Sequence, residues 1–158
     1  MNRGFTLIEV LVVLMIMGLF VGMISAVVQP NDRDLLQLEA GRLARLLDLA
    51  AAEARLTGSP VAWTADTEVY RFWGMAADGT WSVMQTNDLL RPRSLPPDMK
   101  IEALYIENSP VQRPFRIEFP SHATITSFRI DMRLGAERST VTSSPIGELR
   151  VVAGEGRL

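Results

Sequence analysis

The sequence predicts an α+β fold in which a long N-terminal helix, transmembrane and then amphipathic, packs on a mostly antiparallel β-sheet domain. Three observations carry this. From Phe5 to Val28 the only ionisable side chain is Glu9. From Asp34 to about Thr57, Leu and Ala recur at helical spacing. Beyond Pro60, short alternating apolar segments are separated by Gly and Pro turns.

The chain has 158 residues, enough for one domain beyond a membrane segment. Its net charge of -2 and pI near 5.4 give no global attraction to nucleic acid or anionic lipid. Cysteine is absent, which excludes disulfides and thiolate metal sites and leaves the redox compartment open.

The first element is the apolar run. At about 1.5 Å per residue it reaches roughly 36 Å, against a hydrocarbon core of about 30 Å. Arg3 precedes it, and Asp32 and Asp34 follow. The positive-inside rule puts the leader in the cytoplasm and the remainder outside. A secretory signal peptide needs a shorter apolar core and a small-x-small cleavage site, whereas a cut after Ala26 meets Ile24. A plain signal anchor leaves Glu9 supported only by the helix dipole. Within a span a carboxylate costs about 2.5–3.5 kcal/mol by insertion scales, so Glu9 requires a reason.

The second element is the amphipathic helix. Pro30-Asn31-Asp32 punctuates the exit from the apolar run, with Asn31 or Asp32 as caps for a renewed helix. Leu36, Ala40, Leu43, Leu47, Ala50 and Ala54 form one stripe, widened by Leu35, Leu38, Leu46 and Leu49. Glu39, Arg42, Arg45, Asp48, Glu53 and Arg55 lie mostly off it, and Arg45 and Asp48 are spaced for a surface pair. A stripe of this width packs on the chain's own sheet, with part left for a neighbour. Gly58-Ser59-Pro60 stops the helix.

The β domain begins with Val61-Ala62-Trp63 and Val69 to Trp73; a turn at Asp78-Gly79 then leads into Trp81 to Met84 as a hairpin. Residues 87 to 98 form a proline-stiffened connection. Phe115, Ile117 and Phe119 alternate with Arg116 and Glu118, and Phe128, Ile130, Met132 and Leu134 with Arg129, Asp131 and Arg133. Gly135 to Pro145 reads as a mobile polar loop, and a strand near Leu149-Arg150-Val151 closes the set.

Catalytic and metal readings find little support. His122 is the only histidine and sits in a turn-like Pro120-Ser121-His122-Ala123. There is no EF-hand loop, phosphate-binding glycine loop or nucleophile elbow. No cofactor, metal or enzymatic activity is expected. Trp63, Trp73 and Trp81 read as sheet packing rather than a stacking platform. Arg129, Arg133, Arg138, Arg150 and Arg157 are interleaved with Asp131, Glu137, Glu148 and Glu155, and Arg91 with Arg93 is the tightest basic pair. No basic stripe emerges, so no nucleic-acid partner is expected.

Gly4-Phe5-Thr6-Leu7-Ile8-Glu9 resembles a type IV prepilin signal of the kind carried by pilins and type II secretion pseudopilins. The resemblance implies cleavage between Gly4 and Phe5 by prepilin peptidase and N-methylation of Phe5. It also implies that Glu9 meets the new terminal ammonium of a neighbouring subunit and sets register in filament assembly. An intrachain pair with Phe5, one turn away, is also open. The segments are then a leader at 1–4, a transmembrane helix at 5–29, an amphipathic helix at 30–58 and a periplasmic β domain at 59–158.

Ala51 to Val61 is similar to the helix-to-strand junction of H-type minor pseudopilins, grouped with FimT-like minor pilins, and Tyr70-Arg71-Phe72, Leu90-Arg91-Pro92 and Leu95-Pro96 follow in the corresponding order. This implies a pilin-like fold at the bacterial inner membrane. The implied partners are the inner membrane, prepilin peptidase, the major pseudopilin and the I, J and K minor pseudopilins near a pseudopilus tip. Retention of Glu9 argues against the K type, which typically lacks this acid and is much larger. The alternative reading is a minor pilin of a type IV pilus, serving priming or DNA uptake.

Overall fold

A computed structural model describes residues 7–27, 31–85, 87–123, 125–144 and 147–154, with the backbone alone for 20–27. The chain divides into two units, Met1–Asn31 and Asp32–Leu158. The first contains α1, Leu7–Val27. Over Leu7–Leu19, the part of α1 whose side chains are described, the apolar stretch is too short to cross a membrane, and no other described helix is apolar enough.

The second unit opens with α2, Asp32–Thr57. Asp32 and Asp34 in its first turn and Arg55 in its last complement the helix dipole. Gly58, at φ 69°, ends it in the left-handed conformation that glycine adopts without a Cβ penalty. All six residues of the expected stripe are buried, joined by Glu39, Ala44, Leu46 and Ala51. Leu35 and Leu49 pack partly against this core, while Leu38 stays exposed. The Arg45–Asp48 pair does not form. Arg45 Nε donates to the Gly41 carbonyl at 3.2 Å, and Arg42 pairs with Glu39 at 2.7 Å. Glu39 is correspondingly drawn into the covered face rather than off it.

Among the described residues ten strands follow: β1 Val61–Ala65, β2 Val69–Met75, β3 Trp81–Val83, β4 Arg93–Ser94, β5 Met99–Ile106, β6 Ser109–Pro110, β7 Phe115–Phe119, β8 Phe128–Leu134, β9 Glu137–Ser143 and β10 Leu149–Ala153. They form two sheets. The first has the order β3-β2-β1-β7, with β4 also on β2; the second runs β10-β9-β8-β5-β6. The recorded pairings are antiparallel. Helix α2 packs across β9, β10, β8, β1 and β7, so one core joins it to both sheets. Its alanines let the backbone approach closely, and buried leucines each contribute about 1.5–3 kcal/mol.

The expected β2–β3 hairpin forms, with Met75 opposite Trp81 and Trp73 opposite Val83. Asp78 Oδ1 accepts from the Thr80 hydroxyl at 2.6 Å and its amide at 3.0 Å, which holds the Asp78 carboxyl below the usual range. The 87–98 connection is organised by Asn87, whose Oδ1 accepts the amides of Leu89 and Leu90, and by the buried Leu90 and Leu95.

The second sheet departs from expectation. The segment taken for a mobile loop from Gly135 to Pro145 contains β9, paired on both sides, with β8 and with β10. Its inward residues are Ser139, Val141 and Ser143, so two of the three core positions are polar and the alternation is hidden. Strand β5 was not foreseen at all. Its register shifts between Ile101 and Ala103 against β8, so Glu102 is an extra residue that breaks the period of two. A two-residue turn, Glu107 (φ 50°) and Asn108 (φ 64°), links β5 to β6, and positive φ at both central positions marks the I′ geometry suited to strand twist.

Candidate functional site

Glu9 lies in the first turn of α1, where the free amides and dipole favour an acid. It is exposed, and among the described residues no side chain pairs with it. Around it Leu7, Ile8, Leu11, Leu14, Met15, Met17 and Leu19 are all at least 60% exposed. Apolar surface on this scale needs lipid or another apolar surface to cover it. Gly4 and Phe5, the residues assigned to processing, lie outside the described residues.

In the second unit the three tryptophans do not form one platform. Trp63 is fully buried in the core, facing inward with Phe72 and Ile117 in register. Trp73 and Trp81 occupy the opposite face of the first sheet, as strand alternation requires. There Trp73 Nε1 donates to Thr64 Oγ1 at 2.8 Å, and the Arg116 guanidinium lies 4.6 Å from the Trp81 ring centroid. Both indoles are therefore engaged in covering the sheet.

His122 is exposed in the bend after β7. Arg91 is exposed, while Arg93 is half-buried in β4 with its Nη2 on the Leu89 carbonyl at 3.4 Å. The basic residues of the second sheet sit beside acids: Arg129 by Asp131 at 3.4 Å, Arg133 and Arg138 by Glu102 at 3.8 and 3.9 Å, and Arg150 by Glu148 at 2.9 Å. Arg129 and Arg150 thus pair with acids interleaved beside them, whereas Arg133 and Arg138 approach Glu102 on the neighbouring β5. Among the described residues no group of three or more His, Cys, Asp or Glu side chains is placed to hold a metal ion.

One polar cluster was not legible in the sequence. Tyr70 on β2 is buried, and burial pushes its phenol up to about 12, with Arg93 opposing and Glu39 reinforcing the rise. The cluster joins α2 to β2 and β4. Its signal was the i, i+3 spacing of Glu39 and Arg42, which sits inside the helical stripe.

The prokaryotic N-terminal methylation motif matches residues 1–25, and the family described as type II transport protein GspH matches residues 39–152. No curated protein is significantly similar in sequence. Two structures of the minor pseudopilin EpsH from the type II secretion system of Vibrio cholerae share the fold. One is 22% identical with a TM-score of 0.60, covering 75% of this chain and 96% of that one. The other is 19% identical with a TM-score of 0.65, covering 80% and 100%. The solution structure of E. coli GspH is 18% identical with a TM-score of 0.53, covering 79% and 89%. The GspH match extends over most of α2 and nearly all of both sheets; this chain belongs to the type II transport protein GspH family.

Proposed function

We propose that this chain works as a minor pseudopilin, a subunit of the periplasmic pseudopilus with which a type II secretion system exports folded proteins across the outer membrane. The observation that carries the reading is α1: a 21-residue helix, apolar except for Glu9, preceding a GspH-family β domain. At about 1.5 Å per residue, 21 residues reach roughly 31 Å, which supports a single pass through the inner membrane with Arg3 on the cytoplasmic side.

Prepilin peptidase acts between Gly4 and Phe5, and Phe5 is N-methylated. Methylation keeps the terminal nitrogen positive. Beyond the helix dipole, a carboxylate in an apolar helix gains from a cation brought into the same low-dielectric setting, and losing one partner of such a pair costs about 3–5 kcal/mol. Glu9 therefore meets the Phe5 ammonium of the adjacent subunit and fixes axial position. Partners are the major pseudopilin and the I, J and K minor pseudopilins near the tip. The work is assembly rather than catalysis.

Replacing Gly4 with Ala tests the first step. The variant should remain uncleaved in cells holding the peptidase, and a mature mass equal to wild type would remove the assigned site.

A further inference from the structure

Among the described residues strand β10 forms one edge of the second sheet, paired with β9 alone. The Gly154 amide donates to the Arg138 carbonyl, and the Ser144 amide to the Glu148 carbonyl. In an antiparallel ladder this phase turns the even-numbered residues of β10 towards β9. The amides and carbonyls of Leu149, Val151 and Ala153 therefore face away from the sheet. Val151 and Val152 are 37% and 53% exposed.

Edges of this kind are ordinarily blunted by proline, charge, bulges or short length. The other described edges show such devices. Pro114 and Pro120 bracket β7, whose outward residues are Arg116 and Glu118. Strand β6 has two residues and ends in Pro110, and β3 and β4 have three and two. Strand β10 has five residues, no proline and one charge.

That charge indicates the occupant. The neighbour of Arg150 on β9 is Thr142, so no acid faces it across the ladder, and its carboxylate partner, Glu148, comes from the residue just before β10. Arg138 lies nearby on the same sheet face, 3.9 Å from a Glu102 that Arg133 also approaches. A second copy pairing through all of β10 about Val151 places Arg150 against Val152 and supplies no acid. An incoming strand with an acid opposite Arg150 and aliphatic residues beside Val151 and Ala153 satisfies both faces. We infer that the free edge of β10 accepts, by strand addition, an extended segment of a neighbouring pseudopilin with that alternation of acidic and aliphatic residues. This rests on the pseudopilin assignment above.

The test uses the full chain in detergent, co-isolated with the pseudopilins of its own system. Amide hydrogen exchange at Val151 and Ala153 should slow by at least about tenfold in the complex relative to the free chain. Val151→Pro, which removes an amide pointing away from β9, should reduce co-isolation by a similar factor while the β domain melts as in wild type. Complex formation with both amides exchanging at free-chain rates would overturn the inference and leave the pseudopilin assignment standing. Protection that appears in the chain alone and grows with its concentration would identify a second copy and overturn the heterologous partner. Failure to associate with any pseudopilin would count against the assignment itself, and with it the inference.

Discussion

The buried amide of Phe128 donates to Ser143 Oγ at 2.9 Å, joining the start of β8 to the end of β9 through a side chain. Four residues earlier on β9, Ser139 is also buried and its Oγ has no partner. The two serines should therefore respond oppositely to truncation. Ser143→Ala strands the Phe128 amide and should cost about 1–3 kcal/mol. Ser139→Ala removes a desolvated hydroxyl and should be neutral or stabilising. Chemical denaturation of the Asp32–Leu158 unit, whose core closes among its own elements, measures both. Equal losses would contradict the assigned contacts.

Leu43 and Leu38 offer a similar contrast on α2, at 1% and 55% exposure. Leu43→Ala should cost about 2–5 kcal/mol, because the helix and two sheets close around it and cannot collapse fully. Leu38→Ala should stay within about 0.5 kcal/mol in the isolated domain. Comparable losses at both positions would mean that the helix buries a different face.

The serines of β9 also show where sequence reading stops. Helix α2, the β2–β3 hairpin, β7 and β8 were legible because their apolar residues keep one period throughout and glycine or proline bounds them. Strand β9 was misread as a loop because small polar residues fill two inward positions, and only the pairing partners on both sides reveal them as core. Strand β5 was missed because Glu102 shifts the phase midway, so neither half is long enough to announce a strand. Glu39 was placed off the buried stripe because charge alone was read as exposure, although its i, i+3 spacing from Arg42 allows the pair that accompanies its burial. The functional signals divide in the same way. The proposed roles of Gly4, Phe5 and Glu9 rest on one short stretch of chain, whereas the edge position of β10 appears only once the strand order is known.

Tyr70 links burial to alkaline stability. Its folded pKa of about 12 lies above the ordinary phenol value of 10.0. The neutral phenol is thus favoured in the fold, and its contribution is complete below pH 10 and is lost as pH rises through about 12. That rise corresponds to roughly 2–3 kcal/mol. Tyr70→Phe should lack this component, so its unfolding free energy should fall less steeply than wild type from pH 9.5 upward. Parallel curves would show that Tyr70 does not carry the effect.

Glu9 is exposed on α1 and belongs to the other unit of the chain. Glu9→Leu should therefore leave the melting of the Asp32–Leu158 unit unchanged within about a degree while reducing recovery with the pseudopilus by tenfold or more, as expected for a lost buried ion pair. Undiminished incorporation would remove the register role.

The most direct single measurement is intact-mass and N-terminal analysis of the chain recovered with pseudopili from cells holding its own secretion system. The chain should co-isolate with the major pseudopilin, lack residues 1–4 and begin at N-methylated Phe5. A chain that still begins at Met1, is cut elsewhere, or is found only apart from other pseudopilins would contradict a pseudopilin role.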